Sequence, residues 1–191
     1  MRVIIVGNKT KKTEDVKNYL KEEGYKIVAE VSDGFDAIKV CRQHNPDVVL
    51  IEVDIPLLDG IGVAQVINNE DIAGAIVFLL NDYNKNTINK LKIVGARGCI
   101  FNSIDKNYLI STLEFAIYTG SKYREIKKEK ENIVQKFEDR KVIDKAKWIL
   151  MVNERLTEDE AYSKIRKYSM EKRVSMREIS EFIVISSEFK S

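Results

Sequence analysis

The sequence predicts an α/β fold of five βα units, a parallel sheet wrapped by helices on both sides, followed by a helical linker and an all-α unit of three helices. Three observations predict it. From residue 2 to about 118, short runs rich in Val and Ile alternate with amphipathic segments of helical period. Beyond Gly120 the composition shifts to a Lys- and Glu-rich stretch without Pro or Gly. Two capping-box signatures, Thr157-Glu158-Asp159-Glu160 and Ser175-Met176-Arg177-Glu178, then open two helices in quick succession.

The strands are expected at Val3–Val6, Ile27–Val31, Val48–Val53, Ala75–Leu80 and Cys99–Phe101. Each is apolar almost throughout, as in a sheet covered on both faces. The helices between them are marked by Val16, Tyr19 and Leu20 before Gly24; by Ala37, Ile38 and Cys41; and by Val63, Val66 and Ile67 after Gly60. Ile88, Leu91 and Val94 before Gly95 mark the fourth, and Leu109, Leu113, Ala116 and Ile117 the fifth. Ligand sites in such sheets lie at the carboxyl ends of the strands.

Past Gly120, Ile126 and Ile133 stand one heptad apart and Phe137 four further on, which suits a short coiled coil, although Lys130 and Arg140 occupy seam positions. A solvated single helix acting as a spacer is the other reading. Three helical patterns follow. The first carries Val142, Ala146, Ile149 and Leu150 and ends near Asn153; the second is expected to bury Ala161, Ile165 and Tyr168; the third, Ile179, Phe182 and Ile183. These boundaries give residues 1–120, 121–141 and 142–188. A unit of some 45 residues has too little core to stand alone and is expected to lean on the preceding helix and on dimerisation.

Charge is uneven. Residues 121–191 hold 18 basic and 14 acidic side chains, against 14 and 16 before them, within a net charge of +2. Between Lys164 and Arg177 six basic residues face one acid, Glu171, a surface that attracts a polyanion. Cys41, Cys99 and the single His44 lack the spacing of a zinc site or a disulfide framework, so no cofactor is expected. The N-terminal apolar run is too short for a signal peptide and no stretch approaches a membrane span, so a cytoplasmic protein is expected. No catalytic triad, glycine-rich phosphate loop or His-based acid–base pair is present, so an enzyme is the least favoured class.

The third strand and its exit, Val48 to Ile51, Glu52, Pro56 and Asp59-Gly60, resemble the receiver domain of two-component response regulators, a flavodoxin-like fold. So do Gly24-Tyr25, Ser32-Asp33-Gly34, Pro46-Asp47 and Gly95-Ala96-Arg97-Gly98. The resemblance puts Glu52 at the position of the phosphorylated Asp. It also implies an acidic pair for Mg²⁺ where this chain has Gly7 and Asn8, a Ser or Thr where it has Leu80-Asn81, and Lys-Pro where it has Asn102-Ser103. The carboxylates would hold the hard cation, and the Lys and hydroxyl the phosphoryl oxygens. A pseudo-receiver is therefore expected, with Glu52 either a strand-end acid held by solvent or a backbone N–H, or a fixed stand-in for a phosphorylated Asp. Family receivers commonly pair through their last helix and strand.

The C-terminal helices resemble the ANTAR family, the RNA-binding antitermination domain of bacterial regulators. The match runs through Lys145-Ala146-Lys147, Ile149-Leu150-Met151, Leu156 to Tyr162, Arg166, Tyr168, Met170, Arg173 and Ile179. It implies binding to paired RNA hairpins in a nascent leader transcript, with RNA polymerase affected only indirectly. Lys145, Lys147, Arg166, Lys167, Arg173 and Arg177 are candidates for phosphate contact, or a merely solvated face; Tyr162, Tyr168 and Trp148 for base stacking. Core packing is the favoured reading for Trp148 and Tyr168. A homodimer through Ile126, Ile133 and Phe137, and a regulatory protein partner, complete the expectation. A DNA-binding response regulator and a protein-interaction adaptor are the alternatives.

Overall fold

Five apolar runs form one parallel sheet: β1 Arg2–Val6, β2 Lys26–Val31, β3 Val48–Glu52, β4 Ile76–Leu80 and β5 Gly98–Phe101. The computed structural model describes residues 1–101 and 104–188. Strand order is β2-β1-β3-β4-β5, with all four pairings parallel. The direction of strand addition reverses around β1, so the crevice for ligands opens at the carboxyl ends of β1 and β3.

Side-chain alternation divides the sheet between two cores. Ile4, Val6, Val49, Ile51 and Phe78 pack with α2 (Gly34–His44) and α3 (Gly60–Glu70) through Ala37, Cys41, Val63 and Ile67. Val3, Ile5, Val48, Leu50, Val77 and Leu79 pack with α1 (Lys11–Glu22) and the start of α5 (Lys106–Glu154) through Val16, Leu20, Leu109, Leu113 and Ala116. The remaining helix of this unit, α4 (Lys85–Ile93), buries only Leu91 fully. β3 stops one residue short of the expected Val53, because the Val53 carbonyl accepts the Gly60 N–H at 2.9 Å instead of joining the ladder.

The chain divides into two compact units after Glu125. The helix of Leu109, the stretch 121–141 and the helix of Ala146 are one 49-residue helix, α5. Gly120 serves packing rather than termination, since a Cβ there would lie 2.3 Å from the Gly74 carbonyl oxygen. α5 ends at Glu154, where Arg155 turns left-handed with φ 57°.

In the second unit, α6 (Glu158–Lys172) and α7 (Met176–Glu188) pack on the last turns of α5. Ala146, Leu150, Ala161 and Ile165 are buried, with Met176, Ile179 and Ile183 packed against them. Phe182, expected inside, is 71% exposed, and Tyr168 and Trp148 are exposed too. The core is a cluster of four buried side chains and closes without those rings.

Both capping boxes form. Thr157 caps α6 with Glu160 returning to the Thr157 N–H at 2.8 Å, and Ser175 caps α7 with Glu178 returning at 2.7 Å. Arg177 clamps α7 to α5 by donating to Asp139 at 2.7 Å. Asp139 is held below its ordinary 3.8 by Arg177, and Glu160 and Glu178 below 4.5 by the cap N–H and hydroxyl groups. These groups regain their ordinary values on unfolding, so the unfolded chain takes up protons first as the pH falls, and the stabilisation, complete above those values, is lost below them. The thermal midpoint of the second unit is expected to hold down to about pH 5 and then to fall, with Arg177→Ala flattening part of that decline, as followed by circular dichroism across a pH series.

Candidate functional site

Two surfaces carry the polar side chains that the sequence singled out. The first is a cleft of about 670 Å³ at the carboxyl ends of β1, β3 and β4, lined by Asn8, Thr10, Lys12, Glu52, Asp54, Leu80, Asn81, Asp82 and Thr87 among others. Gly7 follows β1, Glu52 ends β3 and Leu80 ends β4, so the topology gathers three of the four expected positions. The fourth, Asn102, lies outside the described residues, as does Ser103.

Glu52 does not reach straight out. Its carboxylate folds over the end of β1 and Oε2 accepts the Asn8 N–H at 3.1 Å. A Cβ on Gly7 would stand 2.7 Å from Glu52 Cδ and 2.9 Å from Oε2, inside contact distance. The extra methylene of Glu and the missing side chain of Gly are therefore two halves of one fit. Gly60 is bound to the same backbone: a Cβ there would meet the Glu52 carbonyl oxygen at 2.2 Å.

Lys12, on the first turn of α1, donates to the Leu80 carbonyl at 3.3 Å. Burial lowers its pKa, and the charge of Glu52 pulls in the opposite direction. Mg²⁺ takes oxygen ligands in near-octahedral geometry. The carboxylates lining the cleft are Glu52, Asp54 and Asp82, and among the described residues no three His, Cys, Asp or Glu side chains converge to hold an ion. That donor set does not match the ligation implied by the receiver resemblance.

The second surface is the outer side of the C-terminal helices. Lys147 is engaged within the chain, with Asp144 at 2.7 Å and Glu158 at 2.6 Å. Arg177 is held by Asp139 and Glu181, and Lys164 by Glu154. Lys167 has only a long 3.9 Å approach to Glu171. Arg166 and Arg173 are exposed and make no ion pair among the described residues. Arg173 is also the left-handed cap of α6, at φ 56°.

Tyr162 is exposed one turn before Arg166, and Tyr168 and Met170 are exposed on the same helix. Lys145 lines an apolar groove between α5 and α7 with Val142, Val184 and Ile185. Ile126, Ile133 and Phe137 are all exposed on α5. Sequence reasoning missed Lys12 altogether. Its only signal was a lysine in the first turn after a strand whose exit lacks acids.

Comparison with known proteins supplies the relatives. The response regulator receiver domain family matches residues 3–114, and the ANTAR domain family matches residues 131–184. The transcriptional regulatory protein PdtaR of Mycobacterium tuberculosis is 30% identical over 186 residues, 96% of this chain and 89% of that protein. The DNA-binding transcriptional activator EvgA of Escherichia coli is 28% identical over 120 residues, 61% of this chain and 57% of that protein. Among solved structures, the receiver domain of the response regulator NarL from M. tuberculosis superposes with a TM-score of 0.58 at 20% identity, over 61% of this chain and 95% of that one. The receiver domain of the histidine kinase PA1611 from Pseudomonas aeruginosa, solved with magnesium in its active-site cleft, gives 0.54 at 18% identity over 61% and 96%. At those identities the structures establish the fold alone.

The fit of Gly7 to Glu52 is open to a double-mutant cycle. Gly7→Ala is expected to push the Glu52 carboxylate off the Asn8 N–H and cost about 1 kcal/mol, the scale of one hydrogen bond. In a Glu52→Ala background the same change is expected to cost markedly less, by denaturant titration, and the Asn8 amide resonance is expected to move with Gly7→Ala only when Glu52 is present.

Proposed function

The chain belongs to the response regulator receiver family and joins its receiver to an ANTAR domain, and from that premise we propose that it is a transcription antitermination regulator that binds hairpin RNA in nascent leader transcripts. One observation carries the reading furthest: α6, secured by a complete capping box, presents Tyr162, Arg166 and Arg173 outward while its other side fills the small core. RNA helices hide their bases in a deep groove, so recognition falls on loops, through ring stacking and cation–phosphate contacts. Tyr162 offers the ring, and Arg166 and Arg173 the cations. Lys167 and Lys145 add charge at the margin. Lys147 and Arg177 hold the helices together and reach a phosphate only by giving up their carboxylates. Binding a pair of hairpins keeps a terminator from forming, so RNA polymerase is affected only indirectly.

The receiver, on this reading, works without phosphorylation chemistry in the cytoplasm. Glu52 is turned toward the Asn8 N–H, the carboxylates that would hold Mg²⁺ are replaced by Gly7 and Asn8, and Leu80 stands where the hydroxyl would be. Control then comes from homodimerisation, in which Ile126, Ile133 and Phe137 take part, or from a regulatory protein partner.

Two measurements test this. Affinity for a leader hairpin RNA is expected to exceed that for duplex DNA of equal charge and to fall steeply with salt; Arg166→Ala or Arg173→Ala should each lower the log–log salt slope by about one. Equal binding to duplex DNA, or an affinity indifferent to salt, removes the reading. Incubation with acetyl phosphate and Mg²⁺ is expected to leave Glu52 unmodified by mass spectrometry, and a stoichiometric acid-labile adduct there would overturn the pseudo-receiver.

A further inference from the structure

Helices α5 and α7 leave an apolar groove of about 330 Å³ between them, lined by Val142, Val184 and Ile185 with Lys141, Lys145 and Glu181. Helical spacing builds its two lips. On α5, Lys141, Lys145, Trp148 and Val152 stand at i, i+4, i+7 and i+11, one side of the helix, and Trp148 and Val152 are 63% and 56% exposed. On α7, Glu178, Glu181, Phe182 and Ile185 stand at i, i+3, i+4 and i+7, and both apolar members are exposed. Trp148, Val152, Phe182 and Ile185 belong to no part of the small core, so each lip keeps large apolar area in water.

We propose that this groove is the docking site of a regulatory protein partner, which enters as an amphipathic helix with its apolar face down, an acidic flank toward α5 and a basic flank toward α7. The inference rests on the partner-controlled form of the reading above and is independent of RNA contact by α6. The signs of the lips select the occupant. Lys141 and Lys145 make the α5 lip basic, and Glu178 and Glu181 make the α7 lip acidic. A polyanion drawn to the first is repelled by the second, whereas a helix with flanks of opposite sign meets both. Lys141 reaches Glu138 at 3.0 Å and Glu181 reaches Arg177 at 2.8 Å, surface pairs that cost little to exchange for a partner's charges. From Lys141 to Val152 the α5 lip runs about 16 Å, the length of three helical turns. A partner helix of that length seats anchors at i, i+3 or i+4, and i+7.

The test is a library of helical peptides of about fifteen residues, with fixed Leu anchors and randomised flanks, selected on the full-length protein. The enriched peptides are expected to carry Asp or Glu along one flank and Lys or Arg along the other. Trp148 is the single tryptophan, so its emission is expected to move to shorter wavelength as they bind. Trp148→Ala and Ile185→Ser are each expected to weaken binding roughly tenfold or more, with the helical circular dichroism of the parent retained because both side chains are exposed. Lys141→Glu with Lys145→Glu is expected to turn the selection toward peptides basic on both flanks.

No enrichment, flanks without charge preference, or affinity indifferent to Trp148→Ala and Ile185→Ser would overturn the proposal. So would a drop in sedimentation mass of the protein alone on Ile185→Ser, which would make a second copy the occupant. A leader hairpin RNA that displaces the peptides and itself needs Trp148 and Ile185 would overturn it too, and would leave the antiterminator reading in place. Peptides that bind with the expected flanks to a protein indifferent to hairpin RNA support the groove and end that reading.

Discussion

Helix α5 must satisfy two cores with one run of backbone. Leu109, Leu113 and Ala116 fill the inner face of the sheet in the first unit, and Ala146 and Leu150 anchor the three-helix core of the second. Neither core is complete without it. The second is so small that, stripped of its α5 side chains, its apolar cluster would retain only Ala161 and Ile165 among its buried members. Continuity is secured by ordinary means: no Pro interrupts the helix, and its one glycine, Gly120, is held against Gly74 where a side chain could not fit. The central stretch, from Ile126 to Phe137, buries nothing in its own unit, so several large apolar side chains remain in water. That exposure leaves apolar area on the helix that association could bury.

At the other functional surface, the controlling fit is between Gly7 and Glu52. A longer acid at the end of β3 needs room, and an absent side chain after β1 supplies it. The result is a carboxylate tied to a backbone N–H with Lys12 close enough to feel its charge, so the local charge balance is met from within the chain. Either substitution alone would be awkward. Together they are sterically consistent.

Most of the fold was legible because its signals are local and repeated. Apolar runs of strand length, glycine stops and two capping boxes depend on neighbours a few residues apart, and all five strands and both boxes stand where those signals put them. What was not legible depends on partners far away in sequence. The pairing of Arg177 with Asp139 spans 38 positions and that of Lys147 with Glu158 spans 11, so a count of basic residues overstated the charge free to meet a polyanion. Periodicity also cannot say what an apolar side chain faces. Phe182 and Trp148 have the right spacing for a helix face and were read as core, yet the core closes without them.

The absence of a covalent switch, on the proposed reading, limits how such a protein can be controlled. A conformational equilibrium moves only if something binds its two states with different affinity, and a shift from mostly one state to mostly the other requires a difference on the order of 5 kcal/mol. Phosphorylation ordinarily supplies that difference by adding charge in the cleft. If Glu52, held by the Asn8 N–H, accepts no phosphoryl group, the requirement would pass to an association event. On the proposed reading, pairing of two copies would change the number of RNA-binding faces per particle from one to two, and tethering two modules raises the effective concentration of the second by orders of magnitude without any new contact. A target made of two hairpins would respond to that change far more sharply than one hairpin could.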